Sequence, residues 1–320
     1  MITNLNLIAC QSAEQWNEFV AHSMQGTRYA LPEVIAALGC DVEYWFVVSK
    51  TRVVAGVPII IHNKAGQNLP IHSYYIGLMY HQDIFNSKAN RRTECELAIS
   101  EFVMQALSLR YSEFKLSLHP SLQDVRGIDW FNYHEPEKGR AVIAPRYTAC
   151  AELNSCAAIR AAARGSRRRE EKYAISRERL SFSIEGEVGE LIDLYSETLE
   201  KQAITLAPKI KQATADFAAL ILNNGMGNIG VVKNENNIAV AAGLLFYDYN
   251  QLVHLPVVGI GASQYAGTFL YFKIMDHASK LGYKQIDFNG ANSPKRGYFK
   301  HSIGGQAQLY FEINWRQPTV

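Results

Sequence analysis

Residues 259–305 constrain the fold most. Together with residues 251–258 before them, they have the pattern of a strand, a helix and a second strand in succession. Residues 251–258 are an apolar run, 265–281 repeat apolar residues at helical spacing, and 284–288 form a second short apolar run. Gly282 follows the predicted helix, where a left-handed C-terminal residue is favoured. The sequence therefore predicts a βαβ unit.

The junction between the first strand and the helix is rich in small residues. Backbone N–H groups at a helix N-terminus lack intrahelical partners, so this junction suits a phosphate or a developing oxyanion. Gly-rich strand–helix turns also occur for purely structural reasons in α/β proteins. The loop residues predicted to bind such an anionic group are Gly259, Gly261, Ser263, Gln264 and Gly267.

The segment after the second strand places polar and cationic groups directly behind a buried strand. They alternate with aromatic residues, and Gly304 and Gly305 close the segment. Solvated charges are seldom interleaved with aromatic residues in this way, so the pattern indicates a site. Its candidate ligand-binding residues are Asn292, Ser293, Arg296 and Phe299, and Asp287 and Lys300 lie in the same stretch.

Composition bounds the class of protein. The chain has 320 residues, of which 48% are apolar and 19% charged, enough for two cores. No run reaches the roughly 18 apolar residues of a membrane helix, and the first residues lack a basic n-region and an apolar h-region. We therefore expect a cytoplasmic protein without a membrane span. The 5 cysteines have no metal-type spacing, so we expect reduced thiols and no metal site.

Charge is concentrated in one predicted helix, over 157–177. Residues 160–179 hold eight basic and three acidic residues, a net +5, so the rest of the chain carries −3 of the total of +2. Arg167 and Arg168 could bind an anionic group of a ligand through bidentate hydrogen bonds. Alternatively, both pair with Glu171 at helical spacing on a solvated face.

An internal repeat predicts the domain organisation. The order helix–helix–strand–strand–strand–helix–strand occurs twice, at a period of roughly 185 residues. In the first half the strands are predicted over 42–49, 53–62, 71–78 and 113–118, with further short strands over 130–134 and 141–144. We therefore predict an α/β (α+β) protein with two copies of one domain, residues 1–153 and 154–320.

This order of elements resembles the GNAT acyltransferase fold, and its doubled form resembles the Fem-type and BioF2-like acyltransferases. These consist of two tandem GNAT-like domains, each a mixed, mostly antiparallel sheet flanked by helices. Residues 165–172 (GSRRREEK) resemble the basic helix of the family's second domain. Residues 287–293 (DFNGANS) and 299–305 (FKHSIGG) resemble its closing signature.

The resemblance implies transfer of an acyl or aminoacyl group from a thioester or tRNA ester to an amine. Attack on a carbonyl builds negative charge on oxygen. In Fem-type enzymes the lysine of a Phe-Lys pair is associated with that charge, so Lys300 takes this role here and Phe299 packs under the donor. The alternatives are a surface lysine and a core phenylalanine. No tightly bound cofactor is expected.

The sequence leaves two candidates for the acyl donor. Ordinary GNAT enzymes hold coenzyme A with Q/R-x-x-G-x-G/A at a helix start; Gln264 and Gly267 match this pattern and Phe269 departs from it. Acyl-CoA is slightly favoured as co-substrate over aminoacyl-tRNA, because the small net charge gives thin support to a tRNA partner. A third alternative is a non-catalytic binding module.

The general base and the acceptor site are the remaining hypotheses. Residues 77–81 (GLMYH) stand where family members often have Gly-Pro-Val-x-Asp, so His81 could take the amine's proton, and Asp287 is the next candidate. Either residue has a structural alternative; Asp287 could only hold the following loop by hydrogen bonds. Tyr74 and Tyr75 are predicted, with Arg167 and Arg168, to line the site of a small-molecule or peptide amine. Monomer and dimer are both compatible with the sequence.

Overall fold

In a computed structural model, residues 4–63 and 69–318 are described. The chain forms two compact units, residues 1–146 with 309–320, and residues 147–308. The predicted domains, 1–153 and 154–320, differ from these units mainly at the C-terminus. There the last strand pairs with a strand of the first unit and takes residues 309–320 with it. The domain boundaries themselves stay a prediction.

The first unit begins with a strand and a capped helix. Ser12 accepts a hydrogen bond from the backbone N–H of Gln15, and Trp16, Phe19 and Val20 bury one helix face, as their spacing predicts. Its elements are β1 (Leu5–Ala9), α1 (Ala13–Ala21), α2 (Pro32–Ala37), β2 (Cys40–Ser49), β3 (Arg52–Asn63), β4 (Met79–Tyr80), α3 (Gln82–Phe85), α4 (Ala89–Ser108), β5 (Glu113–Ser117) and α5 (Arg126–Asp129), with 3-10 turns at Arg28–Ala30 and Pro136–Lys138.

The second unit contains the predicted βαβ element. The chain continues through β6 (Val142–Glu152), α6 (Cys156–Ala162), α7 (Gly165–Ser176), β7 (Ser181–Ser183), α8 (Val188–Glu200), α9 (Pro208–Asn223), β8 (Gly227–Lys233), β9 (Ala239–Tyr247), β10 (Leu252–Ile260), α10 (Ala266–Lys280), β11 (Gln285–Asp287), α11 (Pro294–Ser302) and β12 (Gln306–Arg316). The unit β10–α10–β11 is the βαβ element, because β10 and β11 pair in parallel.

The strands form one sheet of four strands and one of eight, and each unit has its own hydrophobic core. The four-stranded sheet has the order β1-β2-β3-β4, all antiparallel, and β5 pairs with β12 in the larger sheet. In the larger sheet, β6, β11, β10, β9, β8 and β7 lie in that order, antiparallel except for β10 and β11. The predicted mixed, mostly antiparallel sheets are confirmed.

Two strands predicted in the first half are wrong. The segment 71–78 is irregular, with φ of 62° at both His72 and Tyr75, and left-handed residues interrupt an extended strand. Its aromatic pattern reflects core packing, since Tyr75 is 1% exposed. The segment 130–134 is a series of turns that follows α5.

The basic helix predicted over 157–177 is two helices, α6 and α7. The break falls at Ala163 and Arg164, whose ψ angles of 154° and 148° are extended. Sequence reasoning also missed β1 and α11. The short helix α11 begins at Pro294, a residue suited to the first helical position.

Gly259 is required by close packing of α8 on β10. A Cβ atom at this position would lie 2.4 Å from the backbone C of Leu194 and N of Tyr195. We therefore expect Gly259→Ala to lower the free energy of unfolding by about 1–3 kcal/mol in urea denaturation. Gly189→Ala is the control: it lies in α8 with nothing within 4 Å, so it should be neutral or slightly stabilising. Equal stability of the two variants would contradict this explanation.

Candidate active site

The shorter of the two parallel strands of the βαβ unit ends at a buried polar cluster. Pairing covers Leu252–His254 against Gln285–Asp287 and ends there, while β10 runs on to Ile260. The β9–β10 register shifts between His254 and Val257, at the same level. The carboxyl ends of parallel strands are a common place for a ligand in α/β sheets.

His254 is fully buried at this level between two aspartates. Its Nε2 lies 2.9 Å from Oδ2 of Asp248, and its Nδ1 lies 3.6 Å from Oδ2 of Asp287 and 3.3 Å from Nδ2 of Asn289. Burial alone would lower the pKa of His254, but hydrogen bonds and attraction from the two carboxylates raise it to about 9. The imidazole therefore carries a positive charge at neutral pH.

Asp287 holds the turn that follows β11. Its Oδ1 accepts hydrogen bonds from the hydroxyl of Thr148 and, at 2.8 Å, from the backbone N–H of Asn289. The second bond spans two residues, as in an Asx turn, and φ is +54° at Asn289 and +24° at Gly290. The carboxylate is 2% exposed. This geometry supports the loop-holding role that the sequence left open for Asp287.

Lys300 reaches this turn from α11. Its Nζ donates to the carbonyl oxygen of Asn289 and, at 2.9 Å, to that of Gly290, and the residue is 8% exposed. Burial lowers the pKa of Lys300 to about 8; Asp287 opposes this shift and Arg296 adds to it. An ammonium has three N–H donors, and these two carbonyls take two of them. The third N–H has no hydrogen-bond partner in the described part of the chain.

Sequence reasoning found two of these residues and missed three. Lys300 and Asp287 follow from the closing signature, and the structure brings them together. Asp248, His254 and Thr148 lie far from them in sequence. The one available signal was a histidine inside the otherwise apolar run over 251–258.

The predicted donor loop is occupied by a side chain of the protein itself. The hydroxyl of Ser263 donates to Oε2 of Glu178, and the backbone N–H of Gln264 donates to Oε1 at 3.3 Å. Ser263 also accepts a hydrogen bond of 3.0 Å from the N–H of Ala266 in the first turn of α10. An internal carboxylate thus fills the position at this helix N-terminus that an anion would take.

The glycines of the loop are explained by packing. Besides Gly259, a Cβ on Gly261 would meet Leu194 Cδ2 at 3.1 Å, and one on Gly267 would meet Ile260 Cδ1 at 2.9 Å. Phe269, where the sequence departs from the usual donor loop, is 3% exposed and belongs to the core of the second unit. Its ring therefore fills the core.

Residues 292–299 serve several local contacts. Asn292 bonds both backbone groups of Tyr147, accepting from N at 2.8 Å and donating to O at 3.1 Å. Ser293 accepts from Nε of Arg296 at 3.0 Å. The ring of Phe299 packs edge-on against Tyr271, with 5.2 Å between ring centroids.

The arginines of α7 have different surroundings from those predicted. Arg167 pairs with Glu170 at 2.6 Å, donates to Ser302 at 2.8 Å and lies 4.8 Å above the centroid of the Phe299 ring, so it ties α7 to α11. The predicted pairing of Arg167 and Arg168 with Glu171 is wrong, because Glu171 is held by Arg160 at 2.5 Å. Arg168 is exposed and lines a cavity of about 530 Å³.

The remaining predicted residues belong to the first unit. His81 caps α3, accepting from the N–H of Asp83 at 3.3 Å, and lines a groove of about 590 Å³ beside α1. Tyr75 packs against His119 and Tyr310, and Tyr74 against Tyr29 and Tyr75. Tyr75 is thus a core residue, the alternative reading of the aromatic pattern.

Comparison with known proteins agrees with this architecture. Residues 159–300 match the family model described as an acetyltransferase (GNAT) domain. This part of the chain is therefore similar to a GNAT domain. It contains β10, β11, His254 and Asp287, and Lys300 lies at its C-terminal limit.

Solved structures resemble the chain over nearly its whole length. FemX covers 96% of this chain and 96% of its own, with a TM-score of 0.63 and 11% identity. The match to a tandem GNAT protein from the clavulanic acid biosynthesis pathway covers 99% of this chain and 100% of that chain, with a TM-score of 0.56 and 12% identity. The match to L-PGS from Bacillus licheniformis covers 97% of this chain and 93% of that chain, with a TM-score of 0.53 and 14% identity. At these identities the likeness shows the fold, and two tandem GNAT-like domains are confirmed.

Three searches found nothing. No curated protein matches the sequence. Within residues 4–63 and 69–318, no cluster of three or more His, Cys, Asp or Glu residues is arranged to hold a metal ion. In that same part of the chain, no helix combines the length and the apolar character needed to cross a membrane.

Proposed function

We propose that the protein is an N-acyltransferase in which an amine directly attacks the carbonyl carbon of an activated acyl donor. The amine nitrogen forms a bond to that carbon, the carbon–sulfur bond of a thioester or the carbon–oxygen bond of an ester breaks, and the leaving group ends protonated. The observation that carries this proposal is the buried ammonium of Lys300, fixed by two backbone carbonyls with one N–H left over.

Lys300 has the properties needed to stabilise a developing oxyanion. A cation inside a poorly solvated site interacts more strongly with new negative charge than it would in water. The two carbonyl bonds fix the ammonium before reaction, so little reorganisation is needed in the transition state. We assign Lys300 the oxyanion-stabilising role and Asp287 the role of holding the turn to which Lys300 is bonded.

His81 is our candidate for the group that takes the amine's proton. Its side chain is 28% exposed and its Nδ1 lies 3.4 Å from a carboxylate oxygen of Asp83. A partly exposed imidazole can accept the proton of an attacking amine. Arg167 is better explained as a structural tie, whereas Arg168 remains a candidate for binding an anionic acceptor.

Acyl-CoA is the first donor to test. The acetyltransferase description of the matched family and the residues Gln264 and Gly267 support it. Aminoacyl-tRNA is the second candidate, and one specific observation favours it: Glu178 already occupies the loop where a pyrophosphate would bind. A coenzyme A donor would have to displace this carboxylate, whereas an ester donor without that contact would not.

Thermal unfolding with coenzyme A, acetyl-CoA and a long-chain acyl-CoA tests the donor. A ligand at 100 times its Kd adds about 2.7 kcal/mol to the free energy of unfolding, which raises the midpoint measurably. We expect a rise with one thioester and a larger rise in Glu178→Gln, which removes the competing charge and keeps the side chain's shape. Glu185→Gln, an exposed neighbour in sequence, is the control and should behave like wild type.

The opposite result points to the second donor. If no thioester raises the midpoint of either protein, coenzyme A is not the donor. Binding of aminoacyl-tRNA should then weaken steeply with salt, and transfer should stop after ribonuclease treatment.

A further inference from the structure

His254 and Lys300 are joined through one carboxylate and one turn. His254 Nδ1 lies 3.6 Å from Oδ2 of Asp287, whose Oδ1 accepts from the N–H of Asn289 at 2.8 Å. The carbonyl oxygens of Asn289 and Gly290 then receive the N–H donors of Lys300. Every link is a hydrogen bond or a close charge contact between groups that are largely buried.

The turn in the middle of this path needs external support. Asn289 and Gly290 both have positive φ, at +54° and +24°, which is costly for the asparagine. Both carbonyls must point at one ammonium for Lys300 to stay in place. The bond from Asp287 Oδ1 to the N–H of Asn289 fixes the turn, so the orientation of the Asp287 carboxylate decides where Lys300 is held.

Neighbouring side chains orient that carboxylate. The hydroxyl of Thr148 donates to Oδ1, His254 faces Oδ2, and the thiol of Cys150 also contacts the carboxylate. His254 is itself anchored by Asp248 at 2.9 Å, and it is 0% exposed, so its ring has little freedom to move away. Negative and positive groups alternate along the row Asp248, His254, Asp287, Lys300, which lowers the cost of burying each of them.

We propose that His254, anchored by Asp248, is a positioning residue for Lys300, acting through the carboxylate of Asp287 and the turn at Asn289. This role rests on the proposed function for its catalytic consequence. The charged groups that face His254 are Asp248 and Asp287, and those that act on Lys300 are Asp287 and Arg296.

Two substitutions of His254 separate positioning from core packing. The amide nitrogen of asparagine reaches about as far from the backbone as Nδ1, and that of glutamine as far as Nε2. His254→Asn therefore keeps a donor towards Asp287, whereas His254→Gln keeps the bond to Asp248 and loses the one to Asp287. His277→Gln, a half-buried histidine of α10 in the same unit, is the matched control.

The first readout needs no turnover. The side-chain ¹³C resonance of Lys300, assigned by its absence from Lys300→Met, should titrate near the pKa of about 8 in wild type. In both His254→Gln and His254→Asn the loss of a cation beside Asp287 should raise this midpoint by about one pH unit, while His277→Gln should leave it unchanged. Asp248→Asn removes an anion from the row and keeps its shape, so it should lower the midpoint, and it replaces the His254 variants if His254 proves essential for folding.

The second readout is the rate of acyl transfer. We expect kcat to fall by about 10-fold to 100-fold in His254→Gln with KM nearly unchanged, and to recover partly in His254→Asn. An unmoved Lys300 midpoint in folded His254→Gln and Asp248→Asn would overturn the positioning role, as would equal losses in both His254 variants. A moved midpoint in a protein that transfers no acyl group would leave the positioning role standing and refute the proposed function.

Discussion

Lys300→Met is expected to lower kcat/KM for acyl transfer by about 10²–10³-fold, because it removes the cation that faces the developing oxyanion. Methionine has a similar length and fills the same buried space without a charge. Burial lowers the pKa of Lys300, which means that the folded state bears a cost for keeping this group charged. Because methionine removes that cost, the variant should stay folded. The measurement is the initial rate with the donor identified by thermal unfolding, at saturating and subsaturating acceptor.

The pH dependence provides a second sign of the same role. The pKa of Lys300 is lowered to about 8, so the ammonium is present below this pH and is lost as pH rises through it. Wild-type activity should therefore fall on the alkaline side with a midpoint near 8, and this limb should be missing from the residual activity of Lys300→Met. Lys295→Met, on the exposed face of the same helix, should keep both the rate and the limb.

One outcome would reject the catalytic role of Lys300. If Lys300→Met folds and retains full activity, the oxyanion is stabilised elsewhere. If the folded variant also retains full function in cells although no transfer can be measured for wild type, the protein is a binding module with a GNAT fold.

Asp287→Ala is expected to lower the free energy of unfolding by about 3–5 kcal/mol. The truncation removes the acceptor for the hydroxyl of Thr148 and for the N–H of Asn289, and it leaves His254 with one of its two carboxylates. Buried groups that lose their partner bear the full cost of desolvation. Urea denaturation at pH 7 measures the effect.

Asp287→Asn distinguishes the charge from the hydrogen bonds. The amide oxygen can still accept from Thr148 and Asn289, so we expect a smaller loss than for alanine. Asp216→Ala, in α9, is the control, because its carboxylate bonds only Gln212 on the exposed helix surface among the described contacts. A loss for Asp287→Ala no larger than for Asp216→Ala would mean that the buried cluster contributes little to stability.

The βαβ unit shows what local pattern can predict. Apolar runs and helical spacing are properties of neighbouring residues, so β10, α10 and β11 follow from the sequence nearly to their bounds. The strand predicted over 71–78 failed for the same reason. A run of aromatic residues is equally typical of a strand and of an irregular core segment, and only contacts from distant residues separate the two.

The sequence by itself predicted the GNAT-like fold, its tandem arrangement and the place of Lys300 and Asp287, because short motifs and periodicity record these features locally. Only the tertiary structure decided how the site is built. Pairing of β10 with β11 brings His254 beside Asp287, and the segment that follows α7 brings Glu178 to the loop before α10. Such contacts join residues tens of positions apart. The carboxylates of Asp248 and Asp287 raise the pKa of His254, whereas burial lowers that of Lys300, and no single sequence segment encodes either effect.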